Sequence, residues 1–296
     1  MEQKPTVGFI GLGIMGHHMA GHILAAGYPL NIYNRTRAKG DDLVARGAQW
    51  CDSPGAVAAA SDITITIVGY PADVEQVYLA DGGILASARP GSVLIDMTTS
   101  SPALAARIAQ SGLLSGVAAL DAPVSGGDVG AKAGKLAIMV GGDKRTFDRV
   151  LPVLEVMGAN IALMGKAGAG QHTKMANQIA IASTMLAVAE SVSYARAAGL
   201  DPAQVLKVIG TGAASSFLLN GLGPKMVEED FAPGFFIHHF VKDMTIALDE
   251  TERLGLDLPG LALARSLYLK LKDDGFGEEG TQALYRAYNA IHSEAG

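Results

Sequence analysis

The run Gly168-Ala169-Gly170-Gln171-His172-Thr173-Lys174-Met175-Ala176-Asn177 holds the side chains best suited to moving a proton. Lys174 and Asn177 are three apart, so on a helix they share one face near its start. The residues that follow are almost wholly apolar, which partly desolvates the lysine. Burial disfavours an ammonium and brings it closer to giving up its proton, the property a general acid–base needs. A lysine that snorkels at a helix start would look the same in isolation. The neighbouring Asn177, an amide able to orient both lysine and substrate, tips the reading toward chemistry.

A second motif, Gly11-Leu12-Gly13-Ile14-Met15-Gly16, follows the apolar run Val7 to Ile10 and opens a segment where Met15, Met19 and Ile23 recur at helical spacing. Glycines let the backbone turn tightly and approach a pyrophosphate, whose charge then rests on the unpaired N–H groups of the helix start. The pattern alone also describes an ordinary strand-to-helix turn. The strand before it and the amphipathic helix after it supply the context that a dinucleotide site requires. About twenty residues on, where an NAD site presents an acid to the ribose 2′-hydroxyl, the chain offers Asn34, Arg35 and Thr36. A guanidinium attracts a 2′-phosphate that a carboxylate would repel, so NADP(H) is favoured and NAD(H) stays possible.

In Asp121-Ala122-Pro123-Val124-Ser125-Gly126-Gly127, Ser125 and the N–H groups of two adjacent glycines could cradle a carboxylate, or form a simple turn. Lys242-Asp243 reads as the opening of a helix whose polar face carries Lys242, Thr245, Asp249 and Glu252, and plain solvated surface explains it equally well. His18 and His22 have the i, i+4 spacing of a zinc pair, but no third ligand lies nearby, so no metal is expected. His238 and His239 read as a wet loop or helix start. Substrate-pocket walls are expected around Ser215, Ser216, Phe217 and Leu218 and from Phe236 to His239.

These residues need a frame. Short apolar runs at Val7 to Ile10, Leu30 to Tyr33, Ile63 to Val68, Ser92 to Ile95 and Val117 to Asp121 alternate with helix-like segments, the pattern of a parallel sheet covered on both faces. Leu136 to Val140 and Asn160 to Leu163 bracket a helix around Phe147 to Met157 and extend the sheet. After Gly165 Ala- and Leu-rich helical texture runs to Ala290, and its first helix, from about Gly170 to Ala198, is ended by Gly199. The expected fold class is α/β, a doubly wound sheet over residues 1–164 followed by an all-helical domain over 165–296, linked by that long helix.

Bulk properties exclude some functions. The net charge of −6 comes with no Lys/Arg cluster, so nucleic acid is an unsuitable partner. Cys51 is the only cysteine, which rules out internal disulfides and fits a reducing, cytoplasmic setting, as does a start without a signal-like pattern. The most apolar stretch, Ile179 to Ala189, contains Ser183 and Thr184 and ends at Glu190, short of the ~20 residues of a membrane span. With 49% hydrophobic and 18% charged residues the chain is apolar enough to bury surface between subunits, as a homodimer or homotetramer.

Together the motifs resemble the β-hydroxyacid dehydrogenase family, which includes 3-hydroxyisobutyrate dehydrogenase and the tartronate and succinic semialdehyde reductases. The likeness spans nearly the whole chain and rests on Phe9 to Gly16 with Met19, then Asp121 to Gly127, Gly168 to Asn177, and Lys242-Asp243, in the family's order. It implies a Rossmann domain and a helical domain, and an oxidoreductase passing hydride between NADP(H) or NAD(H) and a small hydroxy acid or semialdehyde. The resemblance assigns Lys174 as the catalytic lysine and Asn177 as the substrate-orienting amide. It makes Ser125, Gly126 and Gly127 the substrate-carboxylate loop, and Lys242 the lysine on the nicotinamide side. Gly11, Leu12, Gly13, Ile14 and Met15, with Asn34, Arg35 and Thr36, would hold the cofactor, helped by Thr99. Gly69-Tyr70-Pro71 stands where the family usually has Met-Leu-Pro, so Tyr70 and Pro71 keep the cofactor-loop position while the pocket shape there departs from the pattern. An imine reductase, a 6-phosphogluconate-type dehydrogenase and a catalytically silent cofactor-binding protein share the same general plan.

Overall fold

The computed structural model describes residues 4–288, and the chain divides into two compact units at Lys174/Met175. In the first unit, β1 (Val7–Ile10), β2 (Leu30–Tyr33), β3 (Gln49–Trp50), β4 (Ile63–Thr66), β5 (Val93–Asp96) and β6 (Ala118–Asp121) are joined through helices. These are α1 (Ile14–Ala25), α2 (Asp41–Ala45), α3 (Pro54–Ala59), α4 (Pro71–Leu79), α5 (Ile84–Ser87) and α6 (Pro102–Leu114). There follow β7 (Val124–Ser125), α7 (Gly127–Ala133), β8 (Leu136–Gly141), α8 (Lys144–Leu154) and β9 (Gly158–Gly165). The sheet order is β3-β2-β1-β4-β5-β6-β8-β7, with β9 paired to β8. Strands β1 to β6 are mutually parallel, as the alternation of apolar runs and helices predicts. The order reverses at β1, which opens a ligand crevice at the carboxyl ends of β1 and β4.

The central strands are apolar on both sides because both sides are covered. Phe9 and Ile95 enter one apolar cluster with Met19 and Ile23 of α1 and Val150 and Val153 of α8. Their neighbours Ile10 and Leu94 enter another with Val57 of α3, Val74 and Tyr78 of α4 and Ile108 of α6. Gly8 is small because a Cβ there would overlap the Val57 side chain. The sheet is not wholly parallel, since β8 runs antiparallel to β6 and β7. The link from β7 to β8 through α7 is shorter than the roughly dozen residues a parallel crossover takes. The two-residue strands β3 and β7 are additions to the expected set, and the run expected to reach Val68 ends as a strand at Thr66.

Helix α9 (Ala169–Ala197) carries the chain from one unit into the other, close to the expected span, and Gly199 beyond it has φ +72°. The second unit continues with α10 (Pro202–Ile209), α11 (Phe217–Glu228), α12 (Ile237–Arg253) and α13 (Pro259–Leu271), then a π turn over Lys272–Phe276. Its core joins Met185, Val188 and Val192 of α9 to Phe240, Met244 and Tyr268. Asp201 and Ser216 accept hydrogen bonds from Ala203 N and Leu219 N at the starts of α10 and α11, and Pro259 opens α13. The helical reading therefore holds through residue 288, while residues 289 and 290 lie outside the described part. No helix among the described residues is long and apolar enough to cross a membrane. Helix α12 opens at Ile237, so Lys242 sits in its second turn and not at its start.

Candidate active site

The glycine turn after β1 distinguishes three kinds of glycine. Gly11 has φ +100°, and a Cβ there would overlap the Ile67 carbonyl. Gly16 packs on the Gly11 carbonyl, so a Cβ would collide with that oxygen. Gly13, by contrast, has extended angles and nothing within 4 Å of a Cβ position. The first and third glycines thus serve the turn itself, whereas the second keeps its outer side clear. Gly13 is the N-cap of α1 and no side chain caps that helix. The N–H groups of Ile14 and Met15 therefore suit a diphosphate, and the turn fits a dinucleotide.

Asn34 binds the turn from the end of β2. Its Oδ1 accepts from Leu12 N (2.9 Å) and its Nδ2 donates to Thr36 O (2.9 Å). The amide that replaces the usual acid is thus engaged in bracing the glycine turn. The Arg35 side chain is 82% exposed and lies 3.5 Å from Asp73 Oδ1, a solvated pair that holds it weakly. Asp73 also accepts from Tyr70 N (3.0 Å), so this acid joins Arg35 to the Tyr70-Pro71 turn. Sequence reading did not name Asp73; the signal was an acid in the first turn of a helix opened by Pro71. Thr99, half-buried, follows Thr98, whose Oγ1 accepts from Val68 N (2.9 Å) and ties the loop after β5 to the end of β4.

At the end of β6 the Asp121 carboxylate is buried and caps α9. Its Oδ1 accepts from Gly168 N (2.7 Å) and its Oδ2 from Gln171 N (2.8 Å). Burial pushes this carboxyl up, against the pull of the backbone N–H groups of Gly168, Gln171 and Gly170. Gln171 is fully buried and donates to Thr98 O (2.7 Å) while accepting from Ser100 N (3.0 Å). Three residues on, Lys174 is only 7% exposed, which answers the expectation of a desolvated lysine. Ser125 pairs with Ala137 of β8, and Gly126 and Gly127 have φ +130° and +62°, conformations that favour glycine. His22 of α1 places Nε2 2.9 Å from Ala131 O at the end of α7. Among the described residues no group of three or more His, Cys, Asp or Glu could hold a metal ion.

In the second unit Asn177 donates from Nδ2 to Gln178 Oε1 (2.8 Å), and Gln178 Nε2 donates to Asp243 Oδ2 (2.6 Å). Lys242 Nζ lies 3.0 Å from Asp243 Oδ1, with the lysine side chain 12% and the acid 2% exposed. The solvated-surface reading of this face fails at Lys242, because a buried ion pair with Asp243 anchors the lysine; only Asp249 and Glu252 are exposed. Asn177 and Lys242 are thereby joined through Gln178 and Asp243, two residues that sequence reading had not placed in the site. His238 and His239 stand in the first turn of α12, the helix start that the sequence allowed, and His239 is half-buried; burial foremost, with His238 and Lys242 adding to it, pushes its pKa down to about 4. Phe235 stacks on its ring. Of the expected pocket walls, Ser216 caps α11 and Phe217 at its first position is exposed.

Residues 6–165 match the family described as the NAD binding domain of 6-phosphogluconate dehydrogenase. Residues 168–288 match the family described as NAD-binding of NADP-dependent 3-hydroxyisobutyrate dehydrogenase. The uncharacterized oxidoreductase YkwC of Bacillus subtilis is 52% identical over 96% of this chain and 99% of its own. The probable 3-hydroxyisobutyrate dehydrogenase-like 1, mitochondrial, of Arabidopsis thaliana is 49% identical over 97% of this chain and 86% of its own. Among solved structures, Mycobacterium tuberculosis 3-hydroxyisobutyrate dehydrogenase with L-serine superposes with a TM-score of 0.88 at 31% identity, covering 96% of this chain and 98% of that one. The glycine turn, the capped lysine helix and these relatives lead to one conclusion: the chain belongs to the β-hydroxyacid dehydrogenase family, nicotinamide-dependent oxidoreductases of hydroxyl groups.

Proposed function

We propose that the protein interconverts a small β-hydroxy acid and its semialdehyde, in the manner of 3-hydroxyisobutyrate dehydrogenase, with NADP(H) preferred over NAD(H). The observation that carries this reading is a buried lysine, Lys174, in the first turns of α9, whose start is held by Asp121. The bound nicotinamide supplies hydride exchange. In reduction Lys174, as ammonium, hydrogen-bonds the carbonyl oxygen, neutralises the charge that develops on it and gives up a proton; in oxidation it takes the proton back. In the roles that the family resemblance assigns, Asn177 orients the substrate, Ser125, Gly126 and Gly127 receive its carboxylate, and Lys242, paired with Asp243, serves the nicotinamide. Gly11 to Met15, Asn34 to Thr36, Tyr70, Pro71 and Thr99 hold the cofactor. In this reading residues 1–164 bind the cofactor, and residues 165–296 supply pocket walls and subunit contacts.

Leu218, half-buried in the first turn of α11, favours a less polar substrate than glycerate, hence 3-hydroxyisobutyrate before tartronate semialdehyde. The test is an absorbance assay at the nicotinamide band with 3-hydroxyisobutyrate, 4-hydroxybutyrate and glycerate, each with NADP+ and NAD+. Lys174→Ala is expected to abolish turnover while cofactor binding persists; near wild-type rates in that variant would defeat the assignment. A cytoplasmic location and a homodimer or homotetramer complete the proposal. Light scattering at the mass of a single chain would refute the latter.

A further inference from the structure

We propose that Gln171 and Asp121 are positioning residues for proton transfer, which lock the first turn of α9 onto the ends of β5 and β6 and so set where the Lys174 side chain begins. The inference rests on the catalytic reading of Lys174. A helix start leaves its first N–H groups without intrahelical partners, and a buried start must find others. Asp121 supplies two oxygens to Gly168 N and Gln171 N, and its negative charge is favoured at this end of the helix dipole.

Asp121 alone fixes the helix end as a point. Gln171 adds a second, directional tie, because one amide donates to Thr98 O and accepts from Ser100 N on the loop that carries Thr99. An apolar side chain of equal length would fill this fully buried position; a two-sided amide also fixes its rotation about the helix axis. The loop is itself anchored, since Thr98 N donates to Asp96 Oδ1 (3.1 Å) and Val68 N donates to Thr98 Oγ1 (2.9 Å). Backbone packing removes the remaining slack. A Cβ on Gly170 would overlap Met139 O and meet Asp121 O at 2.8 Å, while one on Gly141 would meet Gly170 N at 2.7 Å. Lys174 follows Gln171 by three residues on the same helix face, so a slip or rotation at the start is passed on to the ammonium. A displacement of about 1 Å at a reacting group can cost about a hundredfold in rate.

The experiment uses the full chain with the nicotinamide cofactor deuterated at the transferred position and the fastest substrate of the panel. Gln171→Met keeps length and removes both amide bonds. It is expected to lower kcat about tenfold or more, with substrate KM and cofactor Kd within about twofold, and to raise the isotope effect on kcat as chemistry becomes limiting. Asp121→Asn, which keeps one acceptor oxygen, should recover part of the kcat lost in Asp121→Ala; if the alanine variant does not fold, Gln171→Met decides. An unchanged kcat and isotope effect overturns the proposal. So does a kcat loss matched by lost active-site titre with an unmoved isotope effect. If Lys174→Ala is inactive and Gln171→Met is unaffected, only this inference fails; if Lys174→Ala stays active, the functional reading fails first.

Discussion

Asp96 ends β5 with its carboxyl buried, beside Asp121 in the register of the sheet, and accepts at Oδ1 from Thr66 Oγ1 (2.8 Å) and Thr98 N (3.1 Å). Burial raises its pKa from 3.8 to about 6, only partly offset by the bonds from Thr98 and Thr66. The folded chain therefore keeps a proton that the unfolded chain has already lost. The stability contributed by this group is whole below the unfolded value and is lost as pH rises through about 6. Asp96→Asn, whose amide oxygen can serve the same two donors and never ionises, should gain on the wild type across this window. Thermal melts should show a larger Tm advantage for the variant at pH 7 than at pH 4.5; a difference that is flat with pH would mean that Asp96 does not bear the charge. The residue types proposed for the site could be picked out from the sequence because the chemistry would demand them: an isolated lysine before an apolar helix, paired glycines, a guanidinium where an acid is usual. Their partners were not. Nothing in spacing connects Gln178 to Asp243, or Asp121 to Gly168, because these bonds are made by the fold and not by local sequence.

The glycine turn and the helix it opens separate two demands that the sequence pattern merges, those of the fold and those of the ligand. Gly16→Ala drives a methyl into the Gly11 carbonyl and against Ile67, an overpacking that costs about 1–3 kcal/mol, so both Tm and cofactor affinity should fall. Gly13→Ala meets nothing within 4 Å and has angles any residue adopts. Its stability change should stay within about 0.5 kcal/mol. Cofactor Kd should nevertheless rise at least about tenfold, because the methyl occupies the side from which a pyrophosphate must approach. Unchanged affinity in Gly13→Ala, measured by fluorescence titration, would move the phosphate site off this turn. At the same scale, the longer elements were readable and the shorter ones were not. β1 and β2 coincide with their apolar runs, and α9 differs from its expected span by about one residue at each end. β3 and β7, of two residues each, are too short for a period to emerge. The start of α12 was left between His238 and Lys242, because Phe236 caps it without a side-chain bond and no capping residue announces it. The antiparallel turn of β8 depends on the length of the α7 connection, which an apolar pattern does not encode.

At the scale of the whole molecule, a ligand that binds only the folded chain raises its stability by an amount set by concentration over Kd, about 2.7 kcal/mol at a hundredfold excess. For a unit the size of Met1–Lys174 that is a Tm rise of roughly 5–10 °C. The same linkage ranks cofactors, because the 2′-phosphate is the group that distinguishes them. Arg35 is 82% exposed and only loosely paired with Asp73 at 3.5 Å, so a dianionic phosphate can replace that carboxylate as its partner through stronger, charge-assisted bonds. Asn34 is engaged with Leu12 N and Thr36 O, and offers the 2′-position no negative charge. NADP+ should therefore raise Tm more than NAD+ at equal concentration. Added salt should narrow the gap, since an exposed charge pair is screened. Arg35→Ala should remove most of it while leaving the NAD+ shift intact. Equal shifts for the two cofactors in the wild type, or a gap that survives in Arg35→Ala, would place the discrimination elsewhere.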